Sequence, residues 1–170
     1  PDYPRADLDT ALSTGKTVFE YWAHALAYLP TRDYRFFRAE MKRQRSATTR
    51  GFGSVSPADL RRILARIRRD GPLSIRDIDD DPRVPKDHPW ASTKPSKRAL
   101  EFGFFTGELT VSRRDGMLKT YDLTDRHFGW EKPPRTATES QILDRRPELY
   151  RYLTDEIPIM QGESIPDMID

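Results

Sequence analysis

Two groups of cations stand where this sequence most plainly offers chemistry. Lys94, Lys97 and Arg98 open the segment KPSKRALEFGFFTG, which reads as a helix started at Pro95 and closed by Gly107. Arg113, Arg114 and Lys119 surround Asp115-Gly116 in SRRDGMLKTYDL, where two runs of β-formers and an Asp-Gly pair predict a hairpin. Cations in a first helical turn oppose the helix dipole, so three of them make more sense if an anion comes to meet them. On the hairpin, lysine alone would discourage edge pairing. A doubled arginine suits phosphate better, because a planar guanidinium takes two oxygens at once. The plainer reading of either cluster is solvated surface.

A third constellation is Glu20, Trp22 and His24, which alternate along VFEYWAH and would share one face of a strand. A carboxylate, an indole and an imidazole together could line a base pocket. A packed, hydrogen-bonded core histidine is the commoner meaning of such a trio. Other chemistry is thin. The chain has no cysteine, which excludes disulfides, thiolate metal sites and thiol nucleophiles. The three histidines, His24, His88 and His127, form no i, i+4 pair, so a helical metal site is unsupported. No glycine-rich phosphate loop or serine nucleophile elbow is present, and Asp79–Asp81 reads as loop solvation. Neither metal nor cofactor is expected, and no catalytic residue is assigned.

A length of 170 residues allows one domain with extensions, and 36% apolar against 33% charged residues allow a modest core. The net charge of +2 conceals an asymmetry. Arg32 to Arg69 holds twelve Lys/Arg and three acids; Thr136 to Asp170 holds three Arg and eight acids. A polyanion-facing half and an acidic tail follow. No apolar run approaches the ~18 residues of a membrane span, and no signal peptide is visible. A cytoplasmic, nucleoid-associated protein is expected. The opening on Pro1 suggests a processed, trimmed or partial chain.

The elements that must position these residues are legible in part. A short helix is expected at Leu8–Ser13, then a strand or buried irregular segment through TVFEYWAHALAYLP. Thr31 should cap a helix over TRDYRFFRAEMKRQR, with Tyr34, Phe37 and Met41 inward. Ser56-Pro57-Ala58-Asp59 is a capping box ahead of Leu60, Ile63, Leu64 and Ile67, and Gly71-Pro72 stops that helix. Ser74–Asp77 is a second capping box on a short helix. Ala99 and Gly103 leave room for close approach on the 94–107 helix. Residues 124–135 read as an irregular Pro-rich exit, and 137–153 as one more helix interrupted near Pro147. The fold class is therefore mainly α with small β: a winged helix-turn-helix over 56–124, an N-terminal strand/helix extension over 1–55, and a Pro-rich exit with an acidic C-terminal tail over 125–170.

These residues resemble a known family. EYWAHALAYLP followed by TRDYRFFRAEM is similar to the EYWAHEA…LP…Y…R…M block of the winged-helix DNA glycosylases, the AlkZ/YcaQ-like group. ILARIRRDGPLSIRDI, a following Trp, and KPSKRALEFGFFTGELTVSRRDGMLKTYDLTDR resemble that family's central winged helix. The resemblance covers roughly residues 8–130. It implies excision of alkylated bases and unhooking of interstrand crosslinks, by metal-free hydrolysis of the N-glycosidic bond. It also implies a hairpin placed against double-stranded DNA. The departures are specific. The family's Gln-x-Asp or Gln-x-Gln motif lies before the EYWAH block and is not in this chain. Gln161-Gly162-Glu163 echoes it only at the wrong end, and Ala25 stands where the family often has an acid. The leading expectation is a partial member that binds duplex DNA through a winged helix. The alternatives are a non-enzymatic DNA-binding regulator or accessory factor, and a winged-helix protein-interaction module. The lesion and the oligomeric state are left open.

Overall fold

The computed structural model describes residues 4–23, 25–46, 55–79, 83–86 and 92–145. The described residues up to 136 pack as one unit, and those from 137 to 145 belong to another. In the first unit, α1 (Arg5–Ser13) turns its one buried side chain, Leu12, into the core. The next segment is a hairpin rather than a lone strand. β1 (Val18–Trp22) pairs antiparallel with β2 (Leu26–Pro30), from Val18 opposite Pro30 to Trp22 opposite Leu26. A 3-10 turn over Thr31–Asp33 leads into α2 (Tyr34–Ser46). Thr31 does not cap this helix: its hydroxyl donates back to the Lys16 carbonyl at 2.7 Å, tying the strand exit to the strand entry. The inward stripe of α2 is as spaced, with Tyr34 and Met41 buried and Phe37 packed against the core.

α3 (Pro57–Asp70) starts as its sequence requires. The Asp59 amide donates to the Ser56 hydroxyl at 3.0 Å, and proline fills the first turn, where its missing N–H costs nothing. Ile63 and Ile67 are buried while Leu60 and Leu64 are half-buried. Gly71 ends the helix at φ +95°, a conformation that side chains rarely adopt. The short strand β3 (Leu73–Ser74) leads into a 3-10 turn, Ile75–Asp77, held by a reciprocal Ser74–Asp77 capping box. α4 (Pro95–Phe105) is the central helix, burying Ala99, Leu100, Gly103 and Phe104. A Cβ on Gly103 would stand 2.8 Å from Leu109, so glycine permits the contact between α4 and the strand that follows.

That strand, β4 (Leu109–Asp115), turns through Gly116 and Met117 into β5 (Leu118–Leu123). Asp115 remains in the strand opposite Leu118, and Gly116 supplies the positive φ of +58°. The register passes from Val111 opposite Tyr121 to Arg113 opposite Thr120, so Ser112 is one extra residue in β4. The sheet order is β3-β5-β4, antiparallel throughout. The exit expected to be irregular begins with α5 (Thr124–Phe128), closed by Gly129 at φ +70°. Five residues are too few to show a helical period. An aromatic cluster joins the parts. Phe19 meets Tyr34 edge-on at 5.0 Å, Tyr34 meets Trp130 at 4.9 Å, and Tyr21 packs on Phe104 at 5.6 Å.

In the second unit, residues 139–145 are helical. The Gln141 amide donates to Thr138 at 3.3 Å, and the Thr138 amide donates to the Gln141 side chain at 3.1 Å, another capping box. The remainder of the acidic tail, with Pro147 and Gln161–Glu163, lies outside the described residues.

Candidate nucleic-acid interface

The hairpin cations divide by position. Arg113 is exposed and has no ion-pair partner among the described residues. Arg114, whose side chain is only 14% exposed, donates Nε and Nη2 to the two carboxylate oxygens of Glu20, at 2.5 and 2.8 Å. Lys119 Nζ lies 2.7 Å from the same carboxylate and 5.0 Å above the Phe104 ring. The Glu20 bond holds the Arg114 guanidinium above its usual pKa, against the cost of its partial burial. A strand buried on both faces positions Glu20. Phe19 and Tyr21 point into the aromatic cluster, and Glu20, on the other face, lies under the β4–β5 hairpin. Glu20 therefore does not line an open pocket: it is the buried counter-charge that seats the hairpin on β1.

The α4 cations divide in the same way. Lys94 is half-buried at the N-cap, its amide donating to the Ser92 hydroxyl at 3.1 Å. Lys97 is exposed and lies 3.7 Å from Glu101, one turn along. Arg98 departs from the expectation. It is 2% exposed, donates Nε to the Ser92 carbonyl and Nη2 to the Pro85 carbonyl at 2.9 Å, and so fastens the loop before α4 rather than meeting solvent. The i, i+1 step from Lys97 to Arg98 carries the two side chains about 100° apart around the helix, which places one outside and one inside.

A cleft of about 380 Å³ connects these pieces. Trp22 stands at one side, Lys97 and Glu101 of α4 at another, and Met117 and Lys119 of the hairpin at a third, with Phe104 among the lining side chains. Trp22 is 49% exposed and Met117 90%, both unusual for large apolar side chains. Burial pushes the Glu101 carboxyl up from its ordinary value, opposed by Lys97 and Lys119. Such a cleft can stack a planar ring on an indole and set an anion against the Lys97 ammonium. Trp22 shares the β1 face of Glu20, as alternation predicts, and His24 lies outside the described residues. Sequence reasoning missed Glu101, although its i, i+4 spacing from Lys97 was there to read. It also missed Met117, whose exposure follows from its place in the turn. Among the described residues no three His, Asp or Glu side chains converge as a metal site would require, and no helix is long and apolar enough to cross a membrane.

A family model described as DNA glycosylase AlkZ-like matches residues 1–156. No solved structure matches the chain. The chain belongs to the AlkZ-like DNA glycosylase family.

Proposed function

We propose that this member of a DNA-repair glycosylase family grips double-stranded DNA with the N-terminal end of α4 and the β4–β5 hairpin, in the manner of a winged helix. The bond broken by the enzyme would be the N-glycosidic bond of an alkylated or crosslinked base. The order α3, β3, short 3-10 turn, α4, β4, β5, with the sheet β3-β5-β4, supports the winged-helix reading of residues 56–124. Residues 1–55 then act as the extension that seats the hairpin, through Glu20, and 125–170 as the exit and acidic segment.

One observation carries the reading: Lys97 of α4 and Lys119 of the hairpin line one cleft together with Trp22. A recognition helix and a wing act on one duplex only if they open on the same side. Lys94, Lys97 and Arg113 are the phosphate contacts we assign; Arg114 and Lys119 already hold Glu20. The hydrolytic step is assigned to no residue of this cleft, whose carboxylate, Glu101, pairs with Lys97.

Fluorescence anisotropy of a labelled duplex across a salt series tests the assignment. Wild-type affinity should fall steeply with salt, and Lys94→Ala/Lys97→Ala/Arg113→Ala should flatten the slope by about one per lost contact. An unchanged slope removes these residues from the interface. A second reading, a protein-interaction module, is favoured by the exposed Trp22, Leu26, Tyr28 and Met117; it predicts no salt-dependent duplex binding at all.

A further inference from the structure

The basic half of the sequence is not spent on the cleft. Arg38, Lys42 and Arg45 follow one another at i, i+4, i+7 on α2, a single helical stripe. With Arg68 of α3 and Arg126 of α5 they line a second cavity, of about 530 Å³, at the far end of α4. Two acids, Glu108 and Asp125, also line it. Arg126 is committed: it pairs with Asp122 and donates to the Ile67 carbonyl at 2.9 Å. The α2 stripe is held differently. Arg38 donates to the Pro134 carbonyl, and Arg45 to the Thr106 carbonyl at 3.1 Å. A peptide carbonyl fixes a guanidinium without cancelling its charge, as a carboxylate would. Lys42 and Arg68 are exposed, and neither has an ion-pair partner among the described residues. Arg38, Lys42, Arg45 and Arg68 thus face two acids, an excess of positive charge at one place that favours the arrival of an anion.

We propose that this groove between α2, α3 and α5 is a second phosphate site, which takes the sugar-phosphate backbone of the same duplex that meets the cleft. The proposal rests on the duplex-binding reading above. Its geometry agrees with a single duplex. Lys97 lines the cleft and Thr106 lines the groove, nine residues apart along α4 and its cap, or about 14 Å at helical rise. That is of the order of the ~12 Å width of a major groove. One strand can rest at each end of the helix. The contacts are of the positioning kind, to backbone rather than to base edges, so the site should add affinity and salt dependence without sequence preference.

The test compares wild type, Lys42→Ala/Arg68→Ala in the groove and, as the cleft variant, Lys94→Ala/Arg113→Ala at the start of α4 and on the hairpin, on one labelled duplex and one polyglutamate peptide across a salt series. Neither groove substitution removes a hydrogen bond of the fold, and circular dichroism should confirm equal folding. The groove variant should flatten the duplex slope by about two, as the cleft variant does, independent of duplex sequence. If the cleft variant flattens the slope and the groove variant leaves it unchanged, the second site is overturned and the duplex-binding reading stands. If wild type does not bind duplex at low salt, both fall. If the groove variant loses only polyglutamate binding, the groove belongs to an acidic protein partner and the proposal is overturned.

Discussion

Arg114 and Glu20 meet through two parallel hydrogen bonds across 94 residues of sequence, Nε to Oε2 at 2.5 Å and Nη2 to Oε1 at 2.8 Å. With Lys119 on the same carboxylate, one buried acid holds two cations of the hairpin. The cations on this hairpin therefore have two separate physical causes. Arg113 is exposed with no ion-pair partner among the described residues, whereas Arg114 and Lys119 fasten the hairpin to the strand beneath it.

Replacing that acid should have opposite effects on stability and on binding. Glu20→Gln leaves two cations without their counter-charge. Removing one partner of a buried pair costs about 3 kcal/mol or more, and the partial exposure of Arg114 and Lys119 brings the expectation down to about 2 kcal/mol. Urea denaturation should show the loss. The same variant frees two cations near the cleft, so its duplex affinity should rise at low salt and its salt slope should steepen. A variant that is both less stable and weaker in binding would show that the hairpin's seating, not its charge, dominates.

Arg98 is expected to behave as a structural residue. Arg98→Lys puts a single ammonium where a guanidinium fork reaches the Ser92 and Pro85 carbonyls, and leaves one of them without its donor. The cost should be about 1–3 kcal/mol. Limited proteolysis should cut more readily between residues 83 and 93, with the salt slope for duplex unchanged. A flattened slope would return Arg98 to the interface.

The contrast between Arg98 and Arg114 shows what the sequence can tell and what it cannot. Elements with local causes were legible: the α3 cap at Ser56, the Ser74–Asp77 box, the Ile63/Ile67 stripe and the β4–β5 hairpin. What depended on contacts between distant segments was not. Nothing near Glu20 in the chain announces Arg114, and nothing around Arg98 announces the Pro85 carbonyl. The β1–β2 hairpin was hidden for another reason: its turn, Ala23–Ala25, lacks the Gly, Pro or Asn that marks a reversal. The candidate interface was therefore legible as two basic segments. The partition of its cations into outward and inward ones was not.

Two glycines of positive φ should respond unequally to alanine. At Gly116 (φ +58°) a Cβ meets nothing within 4 Å, so Gly116→Ala should cost only the left-handed penalty of about 1 kcal/mol. At Gly107 (φ +74°) it would stand 2.6 Å from Met41 Sδ and 3.2 Å from the Tyr34 hydroxyl, both on buried side chains. Overpacking adds about 1–3 kcal/mol, so Gly107→Ala should lose about 2–4 kcal/mol. Thermal melts of the two variants side by side provide the check. Equal losses would mean that Met41 moves aside freely.

The pH dependence of stability between 7.5 and 5.5 should trace to His127. Burial lowers its pKa below the ordinary 6.5, and nearby Lys16 pushes the same way; Asp122 and a hydrogen bond to the Leu12 backbone oppose them. Nε2 is buried without a hydrogen-bond partner among the described residues, so protonation there would bury an unsatisfied charge. The folded state prefers the neutral ring, while the unfolded chain takes up a proton near pH 6.5. The stabilisation is therefore full above 6.5 and is lost as pH falls from there through the lower folded value. The slope in that window cannot exceed about 1.4 kcal/mol per pH unit for one proton. Urea titrations at pH 7.5 and 5.5 should show wild type weakening on acidification, while His127→Gln changes much less. If the variant weakens as much as wild type, the proton is taken up elsewhere and His127 is a packing residue only.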